Sequence, residues 1–465
     1  MKEIAPAFIK SVMGNTELNK STDISSYPYN PPEPDPRATE DCLFLDVVVP
    51  EKIFDRAQNK TSVPKSSLAP VLVWIYGGGY IGGEKSTDAS GLVNRSMHGD
   101  AEGVVYVALN YRLGAFGWLA GHSLTVNGTA NAGLHDQRFG LDWVYKNIHL
   151  FGGDPERVTV MGESAGGGSI MHQVTAYGGN RGPAPFQQAI LQSPGWYPVP
   201  SEEQQEATLQ EFLGILNVNS VDEARQLPSD KLIAANSYQV ATTELYSTFT
   251  YGPVVDGTFV PKMPGKLLRE GDFDHNVNIM VGHNSNEGIL FTPPSSRNES
   301  NYGPAIRGYF PDITPNVVEY IVDVLYPPVY NGSQNYTTSV ERMALSIAEV
   351  IFQCNTNYFN EAFDGDTYAY MFSIPPGFHG QDVSYTFYKG GNSSVVDPKV
   401  ALAMQDYFTS FAQTGKPKSS LGPEFKRYGD DSRLLNLGLL DITTIEDPTD
   451  NVRCLFWQQV PYYEE

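Results

Sequence analysis

The chain has 465 residues, a formal net charge of −22, a pI near 4.7 and 41% apolar residues. That charge argues against nucleic acid and against anionic membrane surfaces as partners. No run approaches about 20 unbroken apolar residues, so no transmembrane helix is predicted, and the apolar content suffices for a sizeable core.

Residues 1–41 are polar and rich in proline around Tyr27, Pro28, Pro31 and Pro32, and they read as loop. The start of the chain carries no apolar signal-peptide core, so the reading is that the true N-terminus is missing. Residues 42–49 read as a first strand, ended by Pro50. Residues 71–76 are apolar throughout, as a strand covered on both faces is. Gly77, Gly78 and Gly79 follow it. Residues 104–109 and 158–161 are further buried strands, and 139–149 has helical spacing. A helix is predicted over 169–174, with more helix across 202–240. Strands follow at 189–192, 278–281 and 368–372. A helix over 397–413 has Asp397 as its cap, Pro398 at its first position and Gly415 at its end. No repeat or linker interrupts the chain, so one domain over 1–465 is expected. Apolar strands alternating with helices predict an α/β fold: a large, mostly parallel central sheet with helices on both faces. Catalysis in such sheets sits at the carboxyl ends of the strands.

Gly162-Glu163-Ser164-Ala165-Gly166 stands at one of those ends and fits G-x-S-x-G. The motif turns a strand sharply into a helix, strains the serine backbone and lifts its hydroxyl above the sheet. A helix N-terminus there favours developing negative charge. A serine nucleophile needs a base, the base needs an orienting acid, and the oxyanion needs donors. Downstream of Ser164 the histidines are His172, His275, His283 and His379. His172 is too close in sequence to fold back, and His275 lies in a polar loop. His283 follows a strand; His379 lies in the loop after the 368–372 strand, where the base belongs. For the acid, Glu287 follows the 278–281 strand; on spacing alone it is as readily a solvated loop carboxylate, with Asp256 and Asp382 next in line. The N–H groups of Gly78, Gly79 and Ala165 are candidate oxyanion donors.

Further pieces follow a recognisable order. They include Glu40-Asp41-Cys42-Leu43, Asn110-Tyr111-Arg112-Leu113-Gly114, Gly133-Leu134-His135-Asp136-Gln137 and Phe151-Gly152-Gly153-Asp154-Pro155. Later come Asn286-Glu287-Gly288, His379-Gly380, Thr414-Gly415-Lys416-Pro417 and Arg453-Cys454-Leu455-Phe456-Trp457. With the serine and glycine motifs, they resemble the type B carboxylesterase/cholinesterase family, which includes fungal secreted esterases and lipases. The resemblance implies a single α/β-hydrolase domain with Ser164, Glu287 and His379 as catalytic triad. It implies Gly78, Gly79 and Ala165 as oxyanion hole, a Cys354–Cys454 disulfide, and no cofactor or metal. The substrate would be a small-molecule or lipid ester. The alternatives are a triacylglycerol lipase of the same family and a non-catalytic adhesion protein on the same fold; the latter type loses a triad residue, and this chain keeps all three.

Departures carry expectations too. The family's N-terminal stretch is absent, with the cysteine that pairs with Cys42, so Cys42 is expected to be a free thiol. Glu40 should lose its usual arginine partner; a buried charge left alone costs about 3–5 kcal/mol. A sheet edge should be exposed, and the chain should be less stable than a relative carrying that segment. Residues 1–41 contain no tryptophan, which sets choline recognition aside. N-x-[ST] sequons occur at Asn19, Asn59, Asn94, Asn127, Asn298, Asn331, Asn335 and Asn392, which suggests glycosylation and secretion.

Overall fold

A computed structural model describes residues 37–58, 67–99, 101–199, 201–242, 246, 248–391 and 394–463. Residues 1–36 of the loop expected over 1–41, and the sequons at Asn19, Asn59 and Asn392, lie outside the described residues.

Nine strands form one sheet in the order β1-β3-β2-β4-β5-β6-β7-β8-β9. They are β1 (Leu45–Val48), β2 (Ala69–Ile75), β3 (Val105–Leu109), β4 (Gly153–Glu163), β5 (Gln188–Gln192), β6 (Asn278–Asn284), β7 (Tyr368–Phe372), β8 (Arg433–Leu437) and β9 (Ile442–Glu446). The two edge pairs, β1 with β3 and β8 with β9, are antiparallel; all inner pairs are parallel. Every residue of β2 and β3 is buried. Successive side chains point to opposite faces, so both faces must be covered there. The helices that concern the site are α1 (Ala132–Asn147), α2 (Ala165–Val174), α3 (Glu202–Leu216), α4 (Ser229–Thr242), α5 (Pro398–Thr414). α1 and α2 pack together and against β4, while α5 packs on β2 and β4 with the short helix Ser90–Ser96.

The predicted strands at 189–192, 278–281 and 368–372 correspond to β5, β6 and β7. α5 starts and stops as its residues dictate: Asp397 Oδ1 accepts from the N–H groups of Lys399 and Val400 at 3.1 and 3.4 Å, and Gly415 closes the helix at φ 73°. Other boundaries shift. α1 begins at Ala132, well before residue 139; α2 begins at Ala165, not 169; β1 begins at Leu45, not 42.

Cys354 and Cys454 are disulfide-bonded, with Cα atoms 5.0 Å apart and a sequence separation of 100. The chain-entropy model assigns a loop of that length about 4–5 kcal/mol. Cys42 is free. Among the described residues β1 is an edge strand; Leu43 and Phe44 just before it and Val48 within it are exposed. The expectation for Glu40 is corrected. Its side chain is exposed and accepts from the Ser229 hydroxyl, so it is not a stranded buried charge.

The strand order positions the site. From β2 the chain moves to β3 on one side, then returns past β2 to β4 on the other. The crevice at such a switch point, outside the carboxyl ends, is where ligands bind in open α/β sheets. Ile75 of β2 is level with Gly162 of β4. The glycine loop and the serine turn therefore leave the sheet side by side.

Candidate active site

Ser164 occupies the turn between β4 and α2 with φ 58° and ψ −123°, a region non-glycine residues rarely adopt. The turn is tight because α2 presses on β2: a Cβ on Gly166 would lie 2.0 Å from the Ile75 carbonyl oxygen. Backbone bonds fix the serine on both sides. Its N–H donates to Gln192 O at 3.0 Å, and its carbonyl accepts from Gly168 and Gly195 at 2.8 and 3.0 Å.

His379 comes to Ser164 from the loop after β7. Its Nε2 lies 2.7 Å from Ser164 Oγ, and its Nδ1 lies 2.5 Å from Glu287 Oε2. An ionised carboxylate only accepts, so Nδ1 carries the proton and Nε2 is left to accept from the serine hydroxyl. Glu287, just beyond β6, is fully buried, and its Oε1 accepts from Ser193 Oγ at 2.6 Å and from the Asn284 N–H at 2.5 Å. Three donors thus surround this carboxylate. Phe352 and Phe291 pack their rings 4.1 and 5.1 Å from the imidazole and keep it dry.

The competing candidates lie elsewhere. His172 is buried with Nδ1 on the Gly168 carbonyl, His283 faces Thr356 at 3.2 Å, and His275 packs on Phe273. Asp256 accepts from the backbone of Thr258 and Val260 and from Asn131. Asp382 is buried near His379 and Glu287 but binds Gln192 Nε2 at 2.8 Å and Asn284 Nδ2 at 3.2 Å, bracing β5 against β6.

The glycine loop runs against the serine: a Cβ on Gly77 would lie 2.8 Å from Ser164 Cβ. The N–H groups of Gly78, Gly79 and Ala165 donate to no protein acceptor among the described residues. They are free for a ligand oxygen. Gly79 has φ 61°, and the space where its Cβ would stand is taken by the Phe249 ring, 2.4 Å away. Phe249 thus buttresses the loop from the side.

A family model described as "Carboxylesterase family" matches residues 11–457. The chain belongs to the carboxylesterase family. It is therefore a carboxylic-ester hydrolase with the α/β-hydrolase fold. Carboxylesterase patB of Penicillium expansum is 40% identical over 433 residues, covering 92% of this chain and 76% of the relative. A secreted lipase of Arthroderma benhamiae is 32% identical, covering 82% of this chain and 72% of its own length. In fold, the chain is similar to the crystal structure of Aspergillus niger EstA, with a TM-score of 0.79 and 24% identity over 92% of this chain and 86% of that one.

One residue of this carboxylesterase site escaped the sequence reading. Glu163 filled a variable position of the serine motif, yet its buried Oε1 lies 3.4 Å from His379 Nε2 with no hydrogen-bond partner. A carboxylate directly before Ser164 was the available signal. Burial pushes the Glu163 carboxyl up to about 8, against the pull of His379. For His379, burial disfavours the charged ring, but the Glu287 and Glu163 carboxylates outweigh it and hold the imidazole above its ordinary value. The base-competent neutral ring is then lost as pH falls through that raised value. Glu163→Gln removes one of the raising charges, so the acid limb of kcat/KM should move to lower pH. A pH–rate profile on a soluble ester checks this; a limb that stays put or moves up would separate Glu163 from the titration of His379.

Proposed function

We propose that Ser164, His379 and Glu287 hydrolyse carboxylic esters through an acyl-enzyme, within one catalytic domain. The observation that carries this reading is the unbroken hydrogen-bond chain Ser164–His379–Glu287, at 2.7 and 2.5 Å. Ser164 Oγ attacks the ester carbonyl while His379 Nε2 takes its proton. The oxyanion that forms faces the N–H groups of Gly78, Gly79 and Ala165, each such donor being worth about 10²–10³ in turnover. His379 then hands the proton to the leaving alcohol. Water enters, gives its proton to His379, and releases the acid from Ser164. Glu287 keeps Nδ1 protonated and supports the transient imidazolium.

For the substrate, the apolar side chains Tyr197, Ile306, Phe310, Ile347, Val350 and Ile351 gather around a small cavity of about 20 Å³, and this apolar wall favours an alkyl-bearing ester. The cavity is adjacent to the site in the chain at two points. Ile351 precedes Phe352, which packs on His379, and Tyr197 lies two residues after Gly195, which binds the Ser164 carbonyl. The lipase among the relatives favours a second reading, hydrolysis of triacylglycerols. A panel of p-nitrophenyl esters from acetate to palmitate separates them. The esterase reading expects turnover to peak on short or medium chains below micelle formation; activity that rises only once micelles form would favour the lipase.

Secretion is part of the same reading. The sequon residues Asn94, Asn127, Asn298, Asn331 and Asn335 are all exposed, and a relative is a secreted lipase.

A further inference from the structure

A polar cavity of about 270 Å³ opens at the far end of α2, with Arg138, Asp142, Gln173, Tyr177, Arg181 and Asp274 in its lining. Ser164 caps the near end of α2 and Val174 ends it. At about 1.5 Å per residue the cavity is therefore roughly 15 Å from the serine, and it takes no part in the ester chemistry.

Its two guanidinium groups are under-used. Arg138 spends Nε and Nη2 on the side-chain and main-chain oxygens of Gln173, at 2.8 and 3.0 Å, and its Nη1 has no partner among the described residues. Arg181 lies 4.3 Å over the Tyr177 ring and makes no hydrogen bond or ion pair among the described residues. Arg181 is exposed to solvent, as are Arg269 and Arg307, which likewise make no ion pair among the described residues. The more buried Arg95, Arg112, Arg342 and Arg453 all pair with carboxylates.

The two arginines are also held in relation to each other. Tyr177 packs 4.9 Å from Phe259, and Arg138 lies 5.8 Å over that second ring. Tyr177, Gly178 and Gly179 follow one another in left-handed backbone at φ 58°, 60° and 71°. For an aromatic residue that conformation is costly, and such strain gathers at ligand clamps and switches. Of the two acids, Asp274 is already satisfied: Oδ2 accepts from the Ala184 N–H at 2.7 Å, and Oδ1 from the N–H and side-chain amide of Asn276 at 3.0 and 2.9 Å. Asp142 stands one turn after Arg138 on α1 without reaching it as an ion pair.

We propose that this cavity is a second, non-catalytic site that binds a small oxyanion, a carboxylate or a phosphate, between Arg138 and Arg181 with Tyr177 beside it. A bound anion would also offset the burial that pulls the Arg138 pKa down.

The test is isothermal titration calorimetry on the full chain at constant ionic strength, with sodium phosphate in one arm and sodium succinate in the other. Saturable binding of either probe supports the site, and the tighter arm identifies the anion type. Arg181→Gln should weaken binding by about tenfold or more, the worth of a hydrogen bond to a charged group. Asp142→Asn should tighten it, because it removes a negative charge from the cavity lining. Hydrolysis of p-nitrophenyl acetate should be unchanged in both variants, which keeps this result independent of the triad. Failure of both probes to bind, or equal binding by wild type and Arg181→Gln, would overturn the proposal.

Discussion

Ser164→Ala should reduce kcat for ester hydrolysis by about 10⁴–10⁶-fold, the loss seen when a triad acting as a unit loses its nucleophile. The side chain makes one hydrogen bond, to His379 Nε2. Alanine bears the same cost of a positive φ, and the backbone bonds to Gln192, Gly168 and Gly195 do not involve the hydroxyl. The fold should therefore persist, with a melting temperature close to wild type. Circular dichroism alongside turnover checks both halves. Near-normal hydrolysis in the variant would remove Ser164 from the chemistry; loss of fold would make the activity result uninformative, and Ser164→Cys would then serve in its place.

Glu287→Gln should cost about 10⁴-fold in kcat, as loss of the acid's charge does in triads of this kind. Two effects add. The protonated ring loses the buried charge that supports it. In addition, the carboxylate accepts from three donors: His379 Nδ1–H, Ser193 Oγ–H and the Asn284 N–H. A glutamine offers one oxygen and one NH₂, so its amide must confront at least one of these donors. Turning the NH₂ toward His379 forces the proton onto Nε2, the tautomer that cannot accept from Ser164. Turnover with an unchanged circular dichroism spectrum is the measurement; activity within a few-fold of wild type would place the acid elsewhere.

The sheet was legible because its inner strands are covered on both faces and so read as unbroken apolar runs. β8 and β9 lacked that signature. β9 is half exposed, with Thr443 and Thr444 at its centre, and forms by antiparallel pairing to β8 at the sheet edge. The start of α2 was misplaced because three glycines, Gly166, Gly167 and Gly168, weigh against helix by propensity; close packing of that turn on β2 overrides the preference. His379 and Glu287 were placed by chain order after strands, and spacing alone left Glu287 open against a solvated loop residue. What decides between these is burial among Ser193, Asn284 and His379, which come from three separate strand ends. No local pattern contains that. Glu163 was hidden for the same reason: its neighbour in space is more than two hundred residues away in sequence. The burial inferred for Glu40 came from the family's pattern, whereas here its carboxylate faces solvent at the Ser229 end of α4.

The central claim, that Ser164 forms a covalent acyl-type intermediate, is tested most directly by trapping. A p-nitrophenyl dialkylphosphate should transfer its phosphoryl group to the attacking oxygen and release p-nitrophenol. Peptide mass spectrometry should then find the added mass on Ser164 alone, in step with complete loss of hydrolysis and with no label in Ser164→Ala. Full inactivation with the label on another residue, or continued turnover by fully labelled enzyme, would contradict it.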